Sequence, residues 1–460
     1  MTTTTMPRTA TLPLRSRAAL REAVRSRGFL IVVTLIAAHL LLAILMREFR
    51  IVGLAHVFGT TGAGFIYAAT TKKIRNVTFV VAYLVGCEVL WRMTKVGPFW
   101  EFGKYASLGI LLVALARMKW RKNRFLALAY FGLLLPSVAI TVTTIPLSVA
   151  RQDLSFNLSG PLLITVAVLY FSNIRLTLDH LRTAFFALIG PVVGIGILCY
   201  LSTTTADLEF VNASNDHASG GFGGNQVSPV LGLATMFLLF LTLDRRMPWR
   251  FRLPLLVLAG ALATQAILTF SRGGIALAFA GTCVAVFFML RGNTRARISI
   301  ALISMTISLI GKLVIEPRLD DFTGGQLSVR YANTQSTGRS TFIESELAMF
   351  SENPVFGVGP GMGYYFRIDR DLKLGASHTE YSRMVGEHGL FGLLSLVCLV
   401  LLGAKAIRGT KELDTRALAS AMVVWSALFL AIYGTRLAAP AFVFGLALAI
   451  RTVVPSKARA

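Results

Sequence analysis

The chain has 460 residues, 55% of them hydrophobic and only 15% charged, with a formal net charge of +24 and a mean hydropathy of +0.66. A soluble core cannot bury that much apolar sequence, whereas a bilayer can solvate it, so a water-soluble globular protein is excluded. The cations are dispersed between apolar runs instead of gathered on one face, which argues against a nucleic-acid surface.

In chain order, residues 1–28 form a basic segment with the Arg15–Arg27 cluster, and residues 29–460 read as a single polytopic membrane domain. The long apolar run that follows the cluster has no small-residue cleavage site before Arg47–Arg50, which predicts a retained first helix instead of a signal peptide. Apolar runs cover 29–46, 51–71, 77–91, 103–116, 125–149, 156–173, 183–202, 226–243, 253–270, 274–290, 298–315, 389–404, 417–433 and 437–450. Each approaches the roughly 20 residues a helix needs to cross the hydrocarbon. The expected fold class is an all-α integral membrane protein with about 12–14 transmembrane helices. Cys87, Cys199, Cys283 and Cys398 all fall in apolar runs and suggest neither a disulfide nor a metal site.

Alternating sides through these runs puts most of the 46 Lys and Arg on one side, in segments such as Lys72–Arg75, Arg117–Arg124, Asp244–Arg252 and Lys405–Arg416. The loop Thr203–Asn225, on the other side, has none. By the positive-inside rule both termini are then cytoplasmic in the cytoplasmic (inner) membrane, with membrane lipids as partners and the 316–388 segment on the outer face.

That long outer loop is the polar exception in an otherwise apolar chain, and such a segment is where recognition or chemistry concentrates. Thr341-Phe-Ile-Glu344 has capping-box spacing, and Ile343, Leu347 and Phe350 then recur at helical spacing until Asn353-Pro354. The run from Gly357 through Gly359 and Gly361 to Gly363 lets backbone approach a ligand or a neighbouring helix, or serves as a tight turn.

Three residues stand out chemically. Arg272, in Ser271-Arg-Gly-Gly274, sits between two apolar runs with almost no loop and calls for an anionic partner or lipid phosphate. Arg339 precedes the expected helix start, where a guanidinium beside free backbone N–H groups makes a phosphate clamp; Arg318 and Arg330 are weaker candidates. His378, in Ser377-His-Thr-Glu-Tyr381, has a side chain whose ordinary pKa of about 6.5 lets it take a proton near neutrality. Its neighbour Glu380 either orients it or faces water, and His388 reads as a helix-start residue. The pattern Asp369-Arg-Asp371 is too short to carry a metal site.

Phe270-Ser-Arg-Gly-Gly274, Gly338-Arg339, Glu352-Asn-Pro-Val-Phe-Gly-Val-Gly-Pro-Gly361, His378-Thr-Glu-Tyr381 and Gly389-Leu-Phe-Gly392 occur in an order that resembles the O-antigen ligase and polymerase superfamily. The resemblance covers roughly residues 200–405. His378, Thr379, nine further residues, Gly389 and Gly392 meet its ligase-type signature, which related polymerases share. It implies a GT-C-like, metal-independent, inverting glycosyltransferase at the outer face of the membrane. The implied donor is a glycan on undecaprenyl diphosphate and the acceptor a glycan or lipid A–core, with no cofactor. Carried over, Arg272 and Arg339 would bind the diphosphate and His378 would be the general base; Glu380, Gly357, Gly359 and Gly361 would support them. A lipid-linked oligosaccharide flippase is the alternative, and it would place charged or broken helices at mid-membrane.

Overall fold

The computed structural model describes residues 33–205, 209–244, 247–292, 298, 311–333, 339–372, 375, 377–410 and 412–450. The basic segment 1–28, most of the 298–315 run and the tail after Ile450 lie outside the described residues. Among those described, all regular elements are helices, and the one bridge of β type joins Leu176 to Ile450. Among the described residues nine helices are long and apolar enough to cross a membrane, and two shorter apolar ones accompany them.

The first half comprises α1 (33–48), α2 (Arg50–Thr70), α3 (Val77–Met93), α4 (Phe102–Ala116), α5 (Arg124–Gly132), α6 (Val138–Thr144), α7 (Leu147–Asn173) and α8 (Leu178–Thr205). Then come α9 (Gly224–Leu243), α10 (Trp249–Leu268) and α11 (Arg272–Met289). The long polar segment holds the short helices α12 (Glu316–Phe322), α13 (Gln326–Ala332), α14 (Arg339–Glu352) and α15 (Gly363–Ile368). Helices α16 (Glu380–Arg408), α17 (Leu413–Tyr433) and α18 (Ala439–Ala449) close the bundle.

Contacts between loops give the bundle two ends. At one, the Asn173 side chain accepts from the Arg121 and Lys122 amides, Arg182 pairs with Asp244, and the Leu176 amide donates to the Ala449 carbonyl. At the other, Asn215 donates to the Thr269 carbonyl and Thr141 to that of Pro360. The alternation read from the apolar runs sorts the same segments into the same two groups. Large apolar side chains such as Phe125 (81% exposed), Ile51 (73%) and Val400 (70%) point outward, as a lipid-facing surface requires.

Two runs depart from a simple crossing. The 125–149 run is two short helices, α5 and α6, broken near Pro136, whose ring cannot continue the backbone ladder. The 437–450 run yields α18, 11 residues long, which at about 1.5 Å per residue covers roughly half of the hydrocarbon thickness. All its residues are buried, because it sits at the centre of the bundle below a recessed turn, 434–438. Glu88 in α3 accepts from the Ala438 amide at 2.7 Å and pairs with Arg92 at 2.7 Å, and Arg92 donates to the Arg436 carbonyl. These membrane-buried charges are thus paired and used to hold the turn.

Candidate functional site

A cavity of about 340 Å³ opens at the end of the bundle that carries the long polar segment. Arg272, Arg339 and His378 all line it, joined by Arg330. The sequence separates these residues widely; the helix starts bring them together. Arg272 opens α11, Arg339 opens α14, and His378 stands just ahead of Thr379, the residue that precedes α16. A fourth helix, α9, begins at the same cavity through Gly223, Gly224 and Asn225. Each helix start carries roughly half a positive charge from its free N–H groups, so four starts and three guanidiniums surround this space, with Asp216 the carboxylate among its lining residues.

The local backbone explains why the motif around Arg272 reads as it does. Phe270 is fully buried with φ +57°, a left-handed conformation that costs a bulky residue energy and marks a corner held by its surroundings. Arg330 Nε donates to the Phe270 carbonyl at 3.0 Å and its Nη1 to the Asn212 carbonyl at 3.2 Å. Arg272 donates to the Asn333 carbonyl. Gly273 and Gly274 serve packing: a Cβ on the first would lie 2.2 Å from the Tyr433 hydroxyl, and on the second 2.3 Å from the Ser228 backbone. Burial and the nearby Arg272 and Arg339 lower the Arg330 pKa, and burial with the Arg339 charge lowers that of Arg436. A cluster of cations held this close is poised to receive an anion. Arg318, by contrast, is exposed on α12 away from the cavity.

Glu380 does not face water. It is buried and pairs with Arg383, while Thr435 Oγ1 donates to it at 3.3 Å. It lines a second cavity of about 290 Å³ on the far side of residues 377–380. The glycine run also packs away from the first cavity. Gly357, Gly359 and Gly361 have φ of +68°, +97° and +85°. The Val358 and Gly359 amides donate to the Gly386 and Glu387 carbonyls at 3.1 and 2.9 Å, stapling the run to the first turns of α16. Of the three, Gly361 reaches the second cavity. His388 is fully buried inside α16, beside the break at Gly389 (φ 59°, ψ −139°), with its Nδ1 against Ser137 Oγ.

The α14 reading also needs correction. The helix includes Arg339, so Thr341 is inside it and the capping box is not its start. Its buried face is Phe342, Ser345, Glu346 and Met349, while Ile343 and Leu347 are 38% and 53% exposed. The buried face mixes Phe342 and Met349 with Ser345 and Glu346, and Glu346 and Met349 line the second cavity, which the apolar spacing of Ile343 and Leu347 does not reveal. Phe342 bridges the two spaces, its ring edge-on to His378 (5.9 Å between centroids) and 5.1 Å from the Arg367 guanidinium. The sequence reading also passed over Arg367, Arg383, Glu387 and Arg436; the i, i+4 pair Arg383–Glu387 (2.6 Å) at the head of an apolar run was the available signal.

No curated protein matches the chain. Residues 261–397, the stretch that holds Arg272, Arg339 and His378, match the family model described as O-Antigen ligase, and this places that stretch in the O-antigen ligase and polymerase superfamily.

Proposed function

We propose that this protein is a GT-C-type membrane glycosyltransferase. It moves a glycan from undecaprenyl diphosphate to an acceptor hydroxyl at the outer face of the cytoplasmic membrane. The observation that carries this reading is the single cavity lined by Arg272, Arg330, Arg339 and His378 at the starts of several helices. Such a site suits a diphosphate, because guanidiniums and helix starts can offset charge that grows on a leaving group. The family match over the same residues supports an O-antigen ligase-like activity.

In this mechanism the acceptor oxygen forms a bond to the anomeric carbon while that carbon's bond to the phosphate oxygen breaks. The acceptor proton passes to the His378 ring. The electron pair leaves with the lipid diphosphate, which Arg272 and Arg339 hold. A general base of this kind contributes about 10²–10⁴-fold. The displacement inverts the anomeric centre. A flippase would instead use intramembrane charges for passage, but Glu88 and Arg92 are occupied in fixing the 434–438 turn.

Glycan analysis of a deletion strain, with its lipid-linked intermediates extracted alongside, tests the reading. Long polymer left on undecaprenyl diphosphate with a bare acceptor marks a ligase, and accumulated single repeat units mark a polymerase. Unchanged surface glycan and unchanged intermediates would contradict both.

A further inference from the structure

The second cavity has a different chemistry from the first. Where the first presents three guanidiniums against one carboxylate, the second has four basic and four acidic side chains among its described lining residues. A balanced, highly polar space favours a neutral ligand rich in hydroxyls over an anion. Its volume of about 290 Å³ sits at the low end of small-ligand sites, near the scale of a sugar unit.

The lining also carries hydrogen-bonding capacity that the protein does not use. Glu346 is 1% exposed and Arg367 4%, yet Glu346 Oε1 and Arg367 Nε have no hydrogen-bond partner among the described residues. Leaving such atoms buried and unpaired is costly, and a bound hydroxyl would relieve that cost. Glu346 Oε2 is fixed by Ser382, and Arg367 Nη2 donates to the Gly375 carbonyl at 2.9 Å, so both groups are held in place before any ligand arrives. Tyr364 lines the same space and is 45% exposed, offering a ring at its rim.

The two cavities are lined by neighbouring residues: Ser377 lines one and His378 the other, and the Tyr433 and Ser271 hydroxyls, 3.2 Å apart, belong one to each. An inverting displacement brings the nucleophile to the anomeric carbon from the side opposite the leaving group. With the diphosphate among Arg272, Arg330 and Arg339, the second cavity, which meets the first at Ser377 and His378, is the space from which an acceptor hydroxyl can approach. Resting on the glycosyltransferase reading, we propose that the cavity lined by Glu346, Tyr364 and Arg367 binds the sugar of the acceptor and presents its hydroxyl toward His378.

The test uses the full chain purified into nanodiscs. The donor is lipid-linked glycan and the acceptor the unglycosylated acceptor fraction, both extracted from the deletion strain. Tyr364→Ala and Glu346→Gln should each raise the apparent KM for acceptor about tenfold and leave the KM for donor and the melting temperature at neutral pH close to wild type. Tyr364→Ala keeps the test decisive if the buried substitution disturbs folding. A rise in donor KM alone, or no change in either, overturns the acceptor assignment while leaving the transferase reading intact. A wild-type protein that transfers nothing overturns the transferase reading and this assignment with it.

Discussion

Arg272 and Arg330 are neighbours with different tasks. Arg330 spends its donors on the carbonyls of Phe270 and Asn212 and so fixes the corner from which Arg272 projects. Replacing Arg272 by Ala should cut initial transfer rates by about 10²–10³, the usual cost of losing one donor to a developing negative charge. Arg272→Lys should recover only part of that, because an ammonium lacks the guanidinium fork; a Lys variant as fast as wild type would contradict a bidentate role. Glu346 gives a pH prediction. Burial raises its carboxyl pKa above the ordinary range, with Ser377, Ser382 and the arginines Arg367 and Arg383 opposing. A raised acid favours folding when protonated, and that contribution is lost as pH rises through the raised value. The melting temperature of Glu346→Gln relative to wild type should therefore improve from pH 5 to pH 8, and a difference independent of pH would contradict it. The cations beside helix starts were legible in the sequence because position alone implied their company. Glu380 was not, since it opens α16 while His378 lies in the loop ahead of it, and its partner Arg383 lies one turn further on.

At the scale of elements, the glycine run and the break at Gly389 form one joint. A Cβ on Gly357 would lie 2.4 Å from the Glu387 carbonyl carbon, and one on Gly389 2.6 Å from that of Val355. Gly221 has a similar φ of +80° but nothing within 4 Å of its added Cβ. Gly221→Ala should therefore cost only the left-handed penalty of about 1–2 kcal/mol. Gly357→Ala carries that penalty plus a backbone clash and should lower the melting temperature in detergent distinctly further. Equal losses would mean that the joint is not tightly packed. The spacing of these glycines was visible in sequence, but their purpose was not, because the partner backbone belongs to a helix that begins well downstream. For α14 the difficulty was of another kind: a helix that buries Ser345 and Glu346 to shape a cavity hides its inner face from any apolar pattern.

For the whole molecule, the apolar runs and their charges anticipated a two-ended helical bundle, and the loop contacts at each end follow that alternation. Two runs defeated a simple count because Pro136 breaks one and the centre of the bundle shortens the other. Sidedness can be checked on a cysteine-free background. Ser328→Cys in α13 should react with a membrane-impermeant maleimide in intact cells, and Lys119→Cys between α4 and α5 only after permeabilisation. The reverse pattern would put the arginine cavity in the cytoplasm. The most direct test of the central claim is His378→Ala in purified, nanodisc-embedded protein, with donor binding and glycan transfer measured on the same sample. The account predicts donor affinity near wild type and transfer reduced by about 10²–10⁴-fold. Transfer at the wild-type rate would contradict the role of His378 as the base.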